Sequence, residues 1–173
     1  MYDILINCPL FKGLGADMIE NILKDRQYSV DKYSDGDLIA VRDTAYSGLM
    51  IVLKGRVNGI APGKNGKKMT IDTISAPQLI APAFLFGGYN RLPIDVEAEE
   101  DVSILILHRG LLFELMQENT IIMSNFIDII SDRANMLTKK KYTFYPLKIS
   151  GIRCRGIFLK ILLPRILYSY WAI

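Results

Sequence analysis

Five carboxylates fall within the seven residues DVEAEED (95–101), and carboxylates held at different pKa values are common equipment for general acid–base work. Here they are strewn through a strand-like stretch and a turn, which suits a solvated edge better than a dyad. The chain has a single histidine, His108, so most base-assisted mechanisms lack their usual proton carrier, and no Ser/His/Asp or Cys/His arrangement stands out. GKNGKK (63–68) has the glycines and lysines of a phosphate loop without the Gly-Lys-Ser/Thr order that opens a helix, and it reads as an exposed hairpin tip. Cys8 and Cys154 are two cysteines without metal-ligand spacing, expected as reduced thiols. These residues predict neither an enzyme nor a metal site. The stretch APAFLFGGYNRLPIDVEA (81–98) differs from all of these: it is an apolar, proline- and glycine-marked segment that raises the question of what a pocket built from it would hold.

The elements that must position this segment can be read from periodicity. Of the 173 residues, 50% are apolar and 23% charged, enough for one well-buried core. LGADMIENILKDRQ (14–27) places Met18, Ile19, Ile22 and Leu23 at helical spacing behind Asp17, which predicts a short amphipathic helix. From 28 to 108 short apolar runs are broken by Asp35-Gly36, Lys54-Gly55 and PGKNGKK, the pattern of an all-β barrel or sandwich. Three prolines and two glycines between 76 and 93 exclude an ordinary ladder strand there and predict an excursion from the sheet. Apolar residues recur at helical spacing from Arg109 to Leu137, with a short break or cap expected near Asn119 and Thr120. The second half of that helix is apolar on more than one side, which predicts a second partner, most simply a copy of the chain.

Taken in order, these pieces resemble the sensor half of the cyclic-AMP receptor/fumarate-nitrate (Crp/Fnr) superfamily of bacterial transcription regulators, over residues 5 to about 141. CPLFKGLGADMIENIL is similar to the family's entry, and YSDGDLIAVRDTAYSGLMIVLKGRVNGI to its strand, Asp-Gly turn and glycine hairpin. The resemblance implies a mainly β fold with flanking helices: the cyclic-nucleotide-binding double-stranded β-helix, or jelly roll, followed by a long dimerisation helix. It divides the chain into a sensor domain (1–108), a dimerisation helix (109–141) and a basic, apolar tail (142–173).

In nucleotide-binding relatives the cassette runs Gly-Glu-Leu, a loop of about eight residues, then Arg-Ser-Ala or Arg-Thr-Ala. A helix N-terminus and the arginine hold the phosphate, and the glutamate holds the ribose. Here Ala81, Pro82 and Ala83 stand at Gly-Glu-Leu, and Leu92, Pro93 and Ile94 at Arg-Ser-Ala. Both charged groups are gone, and Pro82 removes an N–H from the anion site. Burying a cyclic phosphate without its arginine costs several kcal/mol, so cyclic AMP is not expected to bind. Arg91 lies one residue early, where a strand turns its side chain to the opposite face. What remains is an apolar pocket whose candidate lining is Leu79, Ile80, Ala81, Pro82, Ala83, Phe84, Leu85, Phe86, Leu92, Pro93 and Ile94. Either it holds haem or a small apolar ligand, or these side chains fill it as core. Haem needs an axial donor; His108, at the junction of the last strand and the long helix, reads rather as a hinge or capping residue. The lone Cys8 sets aside an iron–sulfur sensor of the fumarate-nitrate kind.

The dimer interface is expected at Leu115, Ile122, Met123, Phe126, Ile127, Ile130, Ala134 and Leu137, with Arg133 and Thr138 at places from which relatives reach the bound base. Beyond this helix the resemblance stops, because the remaining residues contain no helix-turn-helix and carry Pro164 in their last apolar run. Residues 1–132 hold all 18 acids against 12 Lys/Arg, whereas 133–173 hold nine Lys/Arg and no acid. The tail reads as an atypical ending or one in a shifted frame, which the alternative reading frame of the encoding DNA would reveal. No charge-free apolar run of membrane-spanning length and no secretory signal is present, so a cytoplasmic protein without integral membrane association is expected. The function expected is the sensor and dimerisation part of a regulator whose DNA contact belongs to a full-length form. The alternative is a stand-alone dimeric interaction protein that keeps the fold without ligand or DNA.

Overall fold

The computed structural model describes residues 1–63 and 67–143, the last seven as helix backbone only. Two units divide the chain, Met1–Asp132 and Arg133–Ile173. In the first, eight strands make two four-stranded sheets: β1 (Ser29–Tyr33), β2 (Leu38–Ala40), β3 (Gly48–Lys54), β4 (Arg56–Pro62), β5 (Lys68–Ser75), β6 (Leu79–Ile80), β7 (Asp95–Ala98) and β8 (Val102–His108). Sheet order is β1-β8-β3-β6 and β2-β7-β4-β5, with antiparallel pairing throughout. This is the jelly roll of the sequence reading.

β3 explains why this chain cannot fold as a one-sided sheet. Gly48, Leu49, Met50, Ile51, Val52 and Leu53 are buried in succession, so both faces of the strand are covered, one by the roll interior and the other by helices. Lys54-Gly55 then turns the chain into β4. Gly55 has φ +83°, and a Cβ there would stand 2.7 Å from the Val102 side chain and 2.8 Å from Asp101 O. Glycine is thus required both by backbone conformation and by space. The β4–β5 hairpin closes through Gly63 N–H donating to Lys67 O at 2.7 Å; the tip of GKNGKK, residues 64–66, lies outside the described residues.

The helices cover the first sheet's outer side. The first, α1 (Tyr2–Leu5), and a single turn at Pro9–Phe11 bury Leu5, Cys8, Leu10 and Phe11; both are too short to show a periodicity in sequence. The predicted helix at 14–27 is α2 (Ala16–Leu23), which buries Ile19 and Leu23 but leaves Met18 half exposed. The helical stripe expected from Arg109 is two helices, α3 (Arg109–Glu118) and α4 (Thr120–Thr143). Asn119 is the anticipated break. Its backbone is extended (φ −134°, ψ 107°), and its Oδ1 accepts the N–H groups of Ile121 (3.0 Å) and Ile122 (3.3 Å), which satisfies two of the unpaired donors that open α4. Asn125 then anchors α4 by donating to Leu10 O (3.0 Å) and Lys12 O (2.9 Å). Leu111, Leu112, Leu115, Ile122 and Phe126 join the same core as the strands. Among the described residues no helix is long and apolar enough to cross a membrane. The tail from 144 onward, with Cys154, lies outside the described residues.

Candidate functional site

The apolar segment leaves the sheet at β6, whose Leu79 and Ile80 pair with Ile51 and Met50 of β3. Ala81 follows at φ 46°, ψ 45°, a left-handed conformation that costs an L-residue with a Cβ about 1 kcal/mol or more. Ala81 therefore holds a backbone shape that suits glycine while carrying a Cβ. Pro82–Phe84 form one tight turn closed by Phe84 N–H on Ala81 O at 3.1 Å, and Gly87 turns the chain back at φ +101°. The excursion predicted between 76 and 93 is present only from Ala81, because Leu79 and Ile80 form a short ladder strand within that span.

Its return strand is tied to the β2–β3 connection. Asp43 N–H donates to Leu92 O (2.8 Å), Leu92 N–H to Thr44 O (3.2 Å) and Tyr46 N–H to Asn90 O (2.8 Å), while Ala45 and Arg91 form an isolated bridge. This pairing fixes alternation. Leu92 is buried and Arg91 exposed, with the Arg91 guanidinium donating to Asp43 O. The one-residue offset thus turns the cation outward, as strand geometry requires.

The predicted pocket residues are brought into one region. Leu79, Ile80, Leu85 and Leu92 are buried in the core, and Ala81, Phe84 and Phe86 are partly buried against it. Pro82 is buried, Ala83 half-buried, and Pro93 exposed. Ile94 lies on β4: a Cβ added to Gly59 would stand 2.6 Å from the Ile94 Cδ1. Glycine at 59 is what lets Ile94 approach the strand that closely. Phe86 leaves the roll and meets the helices, edge-on to Phe126 with ring centroids 5.6 Å apart at 78° and beneath the Arg109 guanidinium at 5.2 Å. Both arrangements are favourable to a ring quadrupole. An open recess of about 350 Å³ lies at the roll's end, walled by Ile39, Val41, Tyr46, Met50, Leu92 and Ile106 among others; Leu92 is its one member from the predicted lining.

Tyr46 and Arg109 are among the residues of this region absent from the predicted site. Tyr46 is 2% exposed. Its hydroxyl donates to Ile80 O at 2.5 Å and accepts the Met50 N–H at 3.1 Å, and burial pushes its phenol far above the ordinary range. Nothing local in AYSGLMIV signals that partner, since Ile80 is 34 residues away. His108 ends β8 at the N-cap position of α3, exposed and without a side-chain cap hydrogen bond. The span 79–94 contains no histidine, cysteine or methionine, so a haem seated at the cassette has no such axial donor within it.

The acids of DVEAEED do not form a sheet edge, since Asp95 and Glu97 lie on β7, an inner strand paired on both sides, and Glu99, Glu100 and Asp101 in the exposed turn after it. Asp95 accepts the Arg42 N–H at 2.7 Å, Glu97 accepts from Lys68, and Glu99 and Glu100 lie 3.7 and 3.1 Å from Arg56. On the helices, Leu115, Ile122 and Phe126 are buried in the chain's own core and Ile130 packs against it. Met123 is 40% and Ile127 55% exposed, and Ala134 is exposed. The side chains of Leu137 and Thr138 lie outside the described residues. Half of the residues expected at the dimer interface thus cover the domain itself.

Residues 30–119 match the family model described as the cyclic nucleotide-binding domain. No curated protein matches. Among solved structures, a transcriptional regulator from Thermotoga maritima is similar at TM-score 0.64 and 24% identity, over 66% of this chain and 89% of that one. The catabolite activator protein of Thermus thermophilus is similar at TM-score 0.68 and 19% identity, over 78% of this chain and 62% of its own length. The sensor domain of the transcriptional regulator DNR from Pseudomonas aeruginosa gives TM-score 0.65 and 12% identity, over 88% and 95%.

Proposed function

The chain belongs to the cyclic nucleotide-binding domain family, and from that membership we propose that it is the sensor and dimerisation part of a Crp/Fnr-like transcription regulator whose cassette has lost cyclic-nucleotide recognition. The observation that carries this reading is the pair Arg91 and Leu92. The only guanidinium of the return strand faces solvent, and the inward position holds a buried leucine. A cyclic phosphate placed inside would be desolvated with no cation to meet it. Pro82 withholds an N–H from the turn that would otherwise face such an anion. The ligand class that suits this lining is small, uncharged and apolar. The three-part organisation 1–108, 109–141 and 142–173 belongs to the same proposal, as do a homodimer through Met123, Ile127 and the residues that follow on α4, and DNA contact supplied by a full-length form. No catalytic role is part of it.

Calorimetric titration with cyclic AMP tests the reading: no heat of binding is expected up to millimolar nucleotide, and micromolar affinity overturns it. A visible absorption scan of the purified protein tests for haem. A second reading, an interaction protein that keeps the fold without any ligand, is favoured by the packing of Phe84 and Phe86 on the core and of Ile94 on Gly59. Extraction and mass spectrometry of small molecules from the purified chain separates the two. A stoichiometric apolar compound supports the sensor, and its absence supports the second reading.

A further inference from the structure

We propose that Tyr46 is a positioning residue that clamps both ends of the cassette loop to the entry of β3, the departing end through its hydroxyl and the returning end through its backbone N–H. Met50 and Ile80 are register partners across β3 and β6, and the Tyr46 hydroxyl is inserted between them, accepting from Met50 N–H at 3.1 Å and donating to Ile80 O at 2.5 Å. One oxygen thereby completes the ladder at the point where the loop departs. The same residue's backbone N–H holds Asn90 O at 2.8 Å, where the loop returns. The residues between these anchors, 81–89, can change conformation only as a closed loop whose ends stay in place. Asp43 and Thr44 extend the return-side pairing to Leu92, and Phe86 at the tip engages Arg109 and Phe126. At 2% exposure, Tyr46 has no water to replace its partners, so losing the hydroxyl strands a buried donor and a buried acceptor at once. The clamp stands on these hydrogen bonds and is independent of which ligand, if any, the roll takes.

Hydrogen exchange read by mass spectrometry on the full chain tests it, comparing the unaltered protein with Tyr46→Phe and with Val52→Ala. The second substitution lowers overall stability from a fully buried position without touching the clamp. Tyr46→Phe is expected to raise exchange in peptides covering 79–92 by about tenfold or more, the effect of one lost buried hydrogen bond, while β8 stays within about twofold. Val52→Ala is expected to raise exchange evenly across the roll. An even rise in Tyr46→Phe, or an unchanged 79–92, overturns the proposal. In the unaltered chain without added ligand, the Tyr46 and Met50 amides are expected among the slowest to exchange; fast exchange at either overturns it even where Tyr46→Phe fails to fold.

Discussion

Arg91 and Leu92 are neighbours in sequence and opposites in environment, and this difference sets their expected sensitivities. Leu92→Ala should cost about 2–4 kcal/mol in urea denaturation, because it opens a cavity under the return strand. Arg91→Ala should cost less than about 1 kcal/mol, since its contact is exposed. Ala81 carries the opposite expectation: Ala81→Gly relieves a left-handed backbone and should raise stability by about 0.5–1 kcal/mol, visible as a higher melting temperature. Cys8 gives a pH signature. Burial pushes its thiol up to about 11 from an ordinary 9.0, so the unfolded chain loses that proton at lower pH than the native one. The corresponding stability, about 2–3 kcal/mol, is complete below pH 9 and disappears as pH rises through 11. Denaturation from pH 8 to 11 should show this fall, and Cys8→Ala should flatten it. The raised Tyr46 phenol acts in the same direction at higher pH.

At the scale of elements, the cassette and the helices meet at one aromatic contact. Phe86 belongs to the loop, Phe126 to α4 and Arg109 to the start of α3, so a shift of the loop tip is felt by both helices at once. A double-mutant cycle on Phe86→Ala and Phe126→Ala should give a coupling of about 0.5–1.5 kcal/mol, and additivity would show that the rings do not communicate. Asn119 separates the two helices and caps the second. Asn119→Ala should weaken the start of α4 by about 1 kcal/mol, measurable as lost protection of the Ile121 and Ile122 amides.

For the whole molecule, the apolar surface of α4 is divided between two tasks. Ile122 is fully buried in the domain, whereas Ile127 is 55% exposed. Ile127→Glu should shift sedimentation equilibrium from dimer to monomer with the thermal midpoint of the monomer nearly unchanged. Ile122→Glu should unfold the domain, since it buries a carboxylate without a partner. A monomeric unaltered chain would remove the dimer from the proposal and leave the fold untouched. The polar cluster formed by Arg56, Glu99 and Glu100 is solvated, and charge reversal there should be nearly silent.

The all-β character, the Asp-Gly and Lys-Gly turns, the excursion before β7 and the break at Asn119 were all legible in the residues, because each rests on a local rule: short apolar runs between turn residues, positive φ, a missing proline N–H, or a side-chain cap; the jelly roll itself came from the family resemblance. That residues 81–83 and 92–94 carry no charged side chain is a matter of residue type alone. The single turn at Pro9–Phe11 and α1 were not legible, being shorter than any period. The buried half of the α4 stripe was not either, since apolar spacing reports that a face is covered without saying by what. Only the tertiary structure placed Ile94 on Gly59, Phe86 under Arg109, and the Tyr46 hydroxyl between Met50 and Ile80. Those contacts join segments separated by tens of residues, and their geometry is set by how two sheets and two helices pack rather than by any pattern along the chain.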